Sequence, residues 1–153
     1  MPSSLNRNIE KLDRLYILAE ENNIPIDEEC PKDLISMSVR LSNGNKIIGL
    51  SNDESLVYTK LERLAHEMGH CMTDSFYVGY SPFELRAKHE NKADAWATNK
   101  IVPFADLCEA VKNGIREPWQ LAEHFGVSQS FIEKAINIHA HRGNTVPTEL
   151  YSE

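Results

Sequence analysis

The segment His66-Glu67-Met68-Gly69-His70 restricts this chain more than any other feature. Two imidazoles four residues apart lie one turn above each other when the backbone is an α-helix, and the glutamate between them falls on the same side. The flanking residues agree. Leu61, Leu64, Ala65, Met68 and Met72 recur at helical spacing, while Arg63, His66, Glu67, His70 and Asp74 fall opposite them. The pattern predicts a helix from the N-cap-rich cluster at 51–54 to about residue 73, apolar on its core side and chemically equipped on the other. Histidines so placed can grip one divalent cation, and Glu67 beside them suits a general base.

A hydrolytic zinc site needs a third protein ligand and keeps its fourth position for water. Glu90 stands twenty residues after His70, and Asp94 follows one helical turn later. Ser81 and Glu84 read as a capping box opening a helix that runs to about Lys100 before Pro103, so Glu90 and Asp94 share a face. Glu90 is therefore expected to bind the metal, and Asp94 to accept the ring N–H of a liganding histidine, which sets its tautomer. His89 points away from Glu90 by about a quarter of a turn, so only one of the two can face the ion. Cys71 is expected to be a small buried residue, and Asp74 to cap the helix or be solvated. Two imidazoles and a carboxylate suit several divalent ions; one zinc is the expected occupant.

The remainder of the 153 residues fits one domain spanning 1–142, followed by a tail at 143–153. Lys plus Arg total 16 against 23 Asp plus Glu, a net charge of −7 that argues against polybasic nucleic-acid or membrane binders. No apolar run approaches the roughly 20 residues of a membrane span, and no apolar signal-peptide core follows Met1, so a cytoplasmic location without a membrane partner is expected. Cys30, Cys71 and Cys108 are odd in number and dispersed, which favours reduced thiols over a disulfide framework. A helix is predicted over 4–22, with Leu5, Ile9, Leu12, Leu15, Tyr16 and Ala19 as its apolar stripe. A hairpin is predicted over 36–50, where Met37, Val39 and Leu41 alternate before the Asn43-Gly44 turn. Shorter helices are expected at 104–113, 118–125 and 128–140. The last two resemble a helix-turn-helix, with Gly126 at the turn and Ser128 as N-cap. Residues 117–142 hold only Lys134 and Arg142 against Glu117, Glu123 and Glu133, so no basic face is expected and nucleic acid is not the anticipated partner. His124, His139 and His141 are expected at the surface.

His66-Glu67-Met68-Gly69-His70 and Glu90-Asn91-Lys92-Ala93-Asp94-Ala95-Trp96-Ala97, followed by Ile101-Val102-Pro103, resemble the gluzincin metallopeptidases, and among them the ImmA/IrrE family of phage and mobile-element enzymes. The resemblance covers about residues 1–140, with these segments its specific part. Many members carry a second acidic residue in place of Lys92 and an asparagine in place of Asp94. The resemblance implies a helix-dominated α+β fold: a minimal zincin core of a small β-hairpin or sheet and two metal-bearing helices, with a C-terminal helical pair. It also implies a cytosolic zinc endopeptidase that cleaves a helix-turn-helix repressor of the same mobile element. In such sites a second group stabilises the oxyanion, and Tyr77, Tyr80 and His89 are the candidates. The hairpin offers an edge for an extended substrate. The alternative is a non-catalytic regulator, either a partner-binding zincin scaffold or a DNA-associated module.

Overall fold

The computed structural model describes residues 3–30, 36–51 and 57–142. The Ser3 hydroxyl accepts the Asn6 N–H and starts α1 (Ser4–Glu21). Three strands follow, β1 (Ile26–Cys30), β2 (Ser36–Arg40) and β3 (Lys46–Ser51), and then α2 (Val57–Thr73), α3 (Phe83–Ile101), α4 (Phe104–Lys112), α5 (Pro118–Phe125) and α6 (Gln129–His141). The fold is thus α+β and helix-dominated, with one sheet of order β1-β3-β2 among the described residues. β2 and β3 form the expected antiparallel hairpin, and Gly44 at φ 89° takes the left-handed turn position. β1 was not anticipated. Its sequence Ile-Asp-Glu-Glu-Cys has no apolar alternation, and it enters the sheet through parallel backbone pairing with β3. Glu28 on this strand binds Tyr16 of α1 and Lys60 of α2, at 2.8 Å for the latter, tying three elements together.

Cross-strand register decides which side of β2 looks inward. Ser36, Ser38 and Arg40 pair with Leu50, Ile48 and Lys46, so they share the face of the buried Ile48 and Leu50. Met37 and Val39 occupy the other face and are 44% and 42% exposed. The apolar alternation therefore marks the outer face. The inner face of β2 meets the polar side of α2 and not the core: the Ser36 hydroxyl donates to Glu67 Oε1 (3.4 Å), and Arg40 pairs with Asp74 (3.0 Å).

α2 is the central element. Leu61, Leu64, Ala65, Met68 and Cys71 are buried in the core, where α2 packs on α3, α1 and the sheet, whereas Met72 at the end of the stripe is exposed. In α1, Leu15 and Ala19 are buried but Leu5 and Ile9 are not; the buried residue of the first turns is Asn8, whose amide donates to the Gly126 carbonyl at 2.6 Å. The reason is the approach of the α5–α6 turn. Gly126 has φ 72°, and a Cβ there would sit 2.7 Å from the Ser4 carbonyl oxygen. Ser128 caps α6 by accepting the Phe131 N–H, and α6 buries Phe131, Ile132, Ala135 and His139.

Several sequence expectations are corrected here. His139 is fully buried, its Nε2–H donating to the Val102 carbonyl at 2.8 Å, and is not at the surface. Ser81 does not cap α3: its hydroxyl accepts the Val78 N–H, and Pro82 occupies the N-cap. A capping box forms instead at α5, between Glu117 and Gln120. Ser51 ends β3, and residues 52–54 of the proposed cap cluster lie outside the described residues, as does the tail at 143–153. No helix among the described residues is long and apolar enough to cross a membrane.

Candidate metal centre

α2 and α3 run antiparallel and pack tightly at Gly69. A Cβ at this position would meet the Ala93 carbonyl oxygen at 2.4 Å, so the middle of the motif must be glycine for α3 to lie where it does. That contact places Glu90 and Asp94 opposite His66 and His70. One ligand atom each from His66, His70 and Glu90 falls within 4.8 Å of the others. The two Nε2 atoms are 3.2 Å apart, His66 Nε2 lies 2.8 Å from Glu90 Oε2, and His70 Nε2 lies 3.3 Å from Glu90 Oε1.

The other ring nitrogens are already committed. His70 Nδ1 is 2.6 Å from the Ser75 backbone oxygen, which can only accept, so Nδ1 carries the proton and Nε2 keeps a lone pair. His66 Nδ1 is 2.8 Å from Asp94 Oδ1, with the same consequence. Two lone pairs and a carboxylate converging on one point repel each other unless a cation sits among them, which is the condition a divalent ion satisfies. Burial alone would lower the His66 pKa, yet the hydrogen bond to Asp94 and the charges of Asp94, Glu90 and Glu67 outweigh it and raise the pKa above its ordinary value. Burial likewise works to raise the Asp94 pKa, and the His66 contact together with Lys134 at 3.5 Å lowers it instead.

Glu67 is buried, 6% exposed, beside the histidines. It borders a cavity of about 300 Å³ shared with Ser36 to Ser38 of β2, His70, Phe76, Tyr77 and Glu90. Tyr77 donates to Glu90 Oε1 at 2.6 Å, which raises the phenol's pKa, and its ring lies edge-on to His70. His89 stacks against Tyr77 with ring centroids 6.5 Å apart, at the back of that phenol and away from the cavity lining. Tyr80 is 91% exposed and takes no part in the cluster. Cys71 is buried on the core side of α2, which pushes its thiol up to about 11. Asp74 leaves the helix at φ 53° and pairs with Arg40 and Lys46. The structure therefore gathers His66, Glu67, His70, Glu90, Asp94 and Tyr77, and leaves out Tyr80. Sequence reasoning missed Ser75 and Ser36. The first acts through a backbone carbonyl, which carries no residue-type signal; the second sits on a strand whose inner face was not readable.

A larger open groove of about 890 Å³ runs along the opposite side of α3, past Lys88, Lys92, Trp96 and Arg142. None of His66, His70 and Glu90, the three described residues placed to share an ion, lines it. Comparison with curated proteins found no match, and none was found among solved structures. A family model does match: the peptidase M78 model, described as the IrrE N-terminal-like domain, aligns with residues 28–137. That span takes in well over half of the 153 residues and both helices of the cluster, and the chain accordingly belongs to the ImmA/IrrE family of metallopeptidases.

Proposed function

We propose that this chain is a zinc-dependent endopeptidase of the cytoplasm that cleaves one specific regulatory protein, such as a helix-turn-helix repressor of a phage or mobile element. The observation that carries the catalytic part is the convergence of His66 Nε2, His70 Nε2 and the Glu90 carboxylate beside a buried Glu67. The repressor follows from the family resemblance.

His66, His70 and Glu90 would hold the ion. When bound, zinc supplies Lewis acidity, polarising a peptide carbonyl and bringing the pKa of a water toward about 7. Glu67 takes the proton that the attacking water loses and delivers it to the departing amine. The Ser36 hydroxyl, donating to Glu67 Oε1, steadies that carboxylate and leaves its other oxygen for the proton. Asp94 and the Ser75 carbonyl keep both imidazoles turned with Nε2 toward the ion. Of the three oxyanion candidates Tyr77 is the one supported by position, since its hydroxyl already reaches Glu90 at the cavity wall. β2 is an edge strand bordering this cavity, and an extended substrate can add to it as one more strand.

The test is cleavage of candidate repressors by the zinc-loaded protein, with and without chelator, beside the Glu67→Gln variant. The reading expects cleavage that chelator abolishes, and a variant that keeps zinc while losing about a hundredfold or more in rate. Equal behaviour of wild type and variant toward the repressor would leave a binding scaffold instead of an enzyme.

A further inference from the structure

A second cavity, of about 240 Å³, lies on the far side of the His66 ring from the metal ligands, bordered by Ser36, Glu62, Arg63, His66, Asp94 and Lys134 among others. Ser36 also lines the cavity that holds Glu67, so the two spaces adjoin across the start of β2. The charges around the second cavity are unevenly satisfied. Glu62 spends both carboxylate oxygens on Ser128, accepting its N–H at 3.1 Å and its hydroxyl at 2.7 Å. Asp94 is taken by His66 Nδ1 at 2.8 Å and by Lys134 at 3.5 Å. Arg63, one turn before the histidine–glutamate pair and half-buried, has no hydrogen-bond or ion-pair partner among the described residues. A guanidinium cannot shed its charge, and one partly withdrawn from water without an acceptor has an unmet demand that water satisfies only in part. Its planar fork matches a carboxylate better than any other peptide group.

We propose that Arg63 makes this cavity a substrate subsite for a carboxylate, so that the enzyme selects a peptide carrying an acidic group a short distance from the scissile bond. The inference rests on the peptidase reading for its use and not for its binding. The carboxylate has two sources, an Asp or Glu side chain within the substrate or the free C-terminus of a short peptide, and the two are separable.

The probes are fluorescent peptides, acetylated and amidated at their ends, in which a single Glu, Gln or Lys is moved through the positions flanking a fixed apolar pair. A parallel set has free C-terminal carboxylates. Binding is read by anisotropy on the zinc-loaded Glu67→Gln variant, alone and combined with Arg63→Gln or Arg63→Lys, and cleavage is read on Glu67-intact protein. The expected result is a preference for Glu over Gln of about tenfold or more at one position, abolished by Arg63→Gln and partly restored by Arg63→Lys. The same preference confined to the free-acid set would assign the C-terminal source. No acidic preference, or one unchanged in Arg63→Gln, overturns the subsite, and circular dichroism of each variant shows that the helices are intact. Cleavage without preference removes the subsite and leaves the peptidase, whereas Arg63-dependent binding with no cleavage by any zinc-loaded Glu67 protein removes the peptidase and leaves the subsite.

Discussion

At two glycines, Gly126 and Gly69, neighbouring backbones pack too closely to admit a Cβ, and the polar groups around them are used in opposite ways. At Gly126, the α5–α6 turn meets α1, and the side chains that α1 offers are all spent on backbone carbonyls: Arg7 on His124, Asn8 on Gly126, and Lys11 on Phe125 and Ile101. Each of these bonds closes a helix end, so these groups serve the packing of α1 on the rest of the fold. At Gly69, α2 meets α3, and the polar side chains are half committed: the Nδ1 atoms of His66 and His70 are engaged while both Nε2 atoms and the Glu90 carboxylate point at a common space. A close helix contact becomes a site when the groups around it satisfy only one side of themselves.

Substitution at each glycine tests that contrast most strongly. Gly69→Ala forces a Cβ to within 2.4 Å of the Ala93 backbone oxygen, so α3 must move; the expected cost is about 3 kcal/mol in denaturant unfolding, with loss of stoichiometric zinc binding in whatever remains folded. Gly126→Ala combines a left-handed φ of 72° with a 2.7 Å clash, and about 2 kcal/mol is expected, yet the folded fraction should still bind one zinc per chain. Zinc loss in both variants, or in neither, would erase the distinction between the regions.

Smaller effects sharpen it. Asp94→Ala removes the acceptor behind His66 and should weaken zinc by about ten- to a hundredfold in a chelator competition. Lys11 gives a signal specific to the other contact, carried by its pH dependence. Burial lowers its pKa from 10.5 to about 8, so between these values the unfolded chain binds the proton more tightly than the folded one. Stability should therefore rise with pH across that window, and the unfavourable contribution should be fully present below about pH 8. Unfolding curves of wild type measured against Lys11→Met at pH 7.5, 9 and 10.5 read it directly; a difference that stays flat would mean the ammonium is better solvated than its two carbonyl contacts suggest.

How much of this was legible beforehand depended on whether the information was local. The α2 motif was readable because helical period, side-chain type and an apolar stripe coincide within a few turns, and the α5–α6 turn because Gly126 and Ser128 are local signals. β1 was not, since a strand built of Ile26 and acidic residues owes its pairing to the backbone of β3. The buried His139 answers to a carbonyl thirty-seven residues away, and the Ser81 hydroxyl accepts the N–H of Val78 behind it and caps no helix. Among Tyr77, Tyr80 and His89, residue type could not choose. The loop at 74–82 brings the first to Glu90 and leaves the second in solvent, a matter of chain path.

The central claim is that two imidazoles and one carboxylate from α2 and α3 share a single divalent ion. X-ray absorption at the zinc edge, on protein loaded with one equivalent after exhaustive dialysis, examines it without reference to any substrate. Two imidazole nitrogens at about 2.0–2.1 Å with light oxygen ligands, the imidazole signature halved by His66→Ala, is the predicted spectrum. A sulfur shell at about 2.3 Å, or zinc that washes out of the wild-type chain, would contradict it.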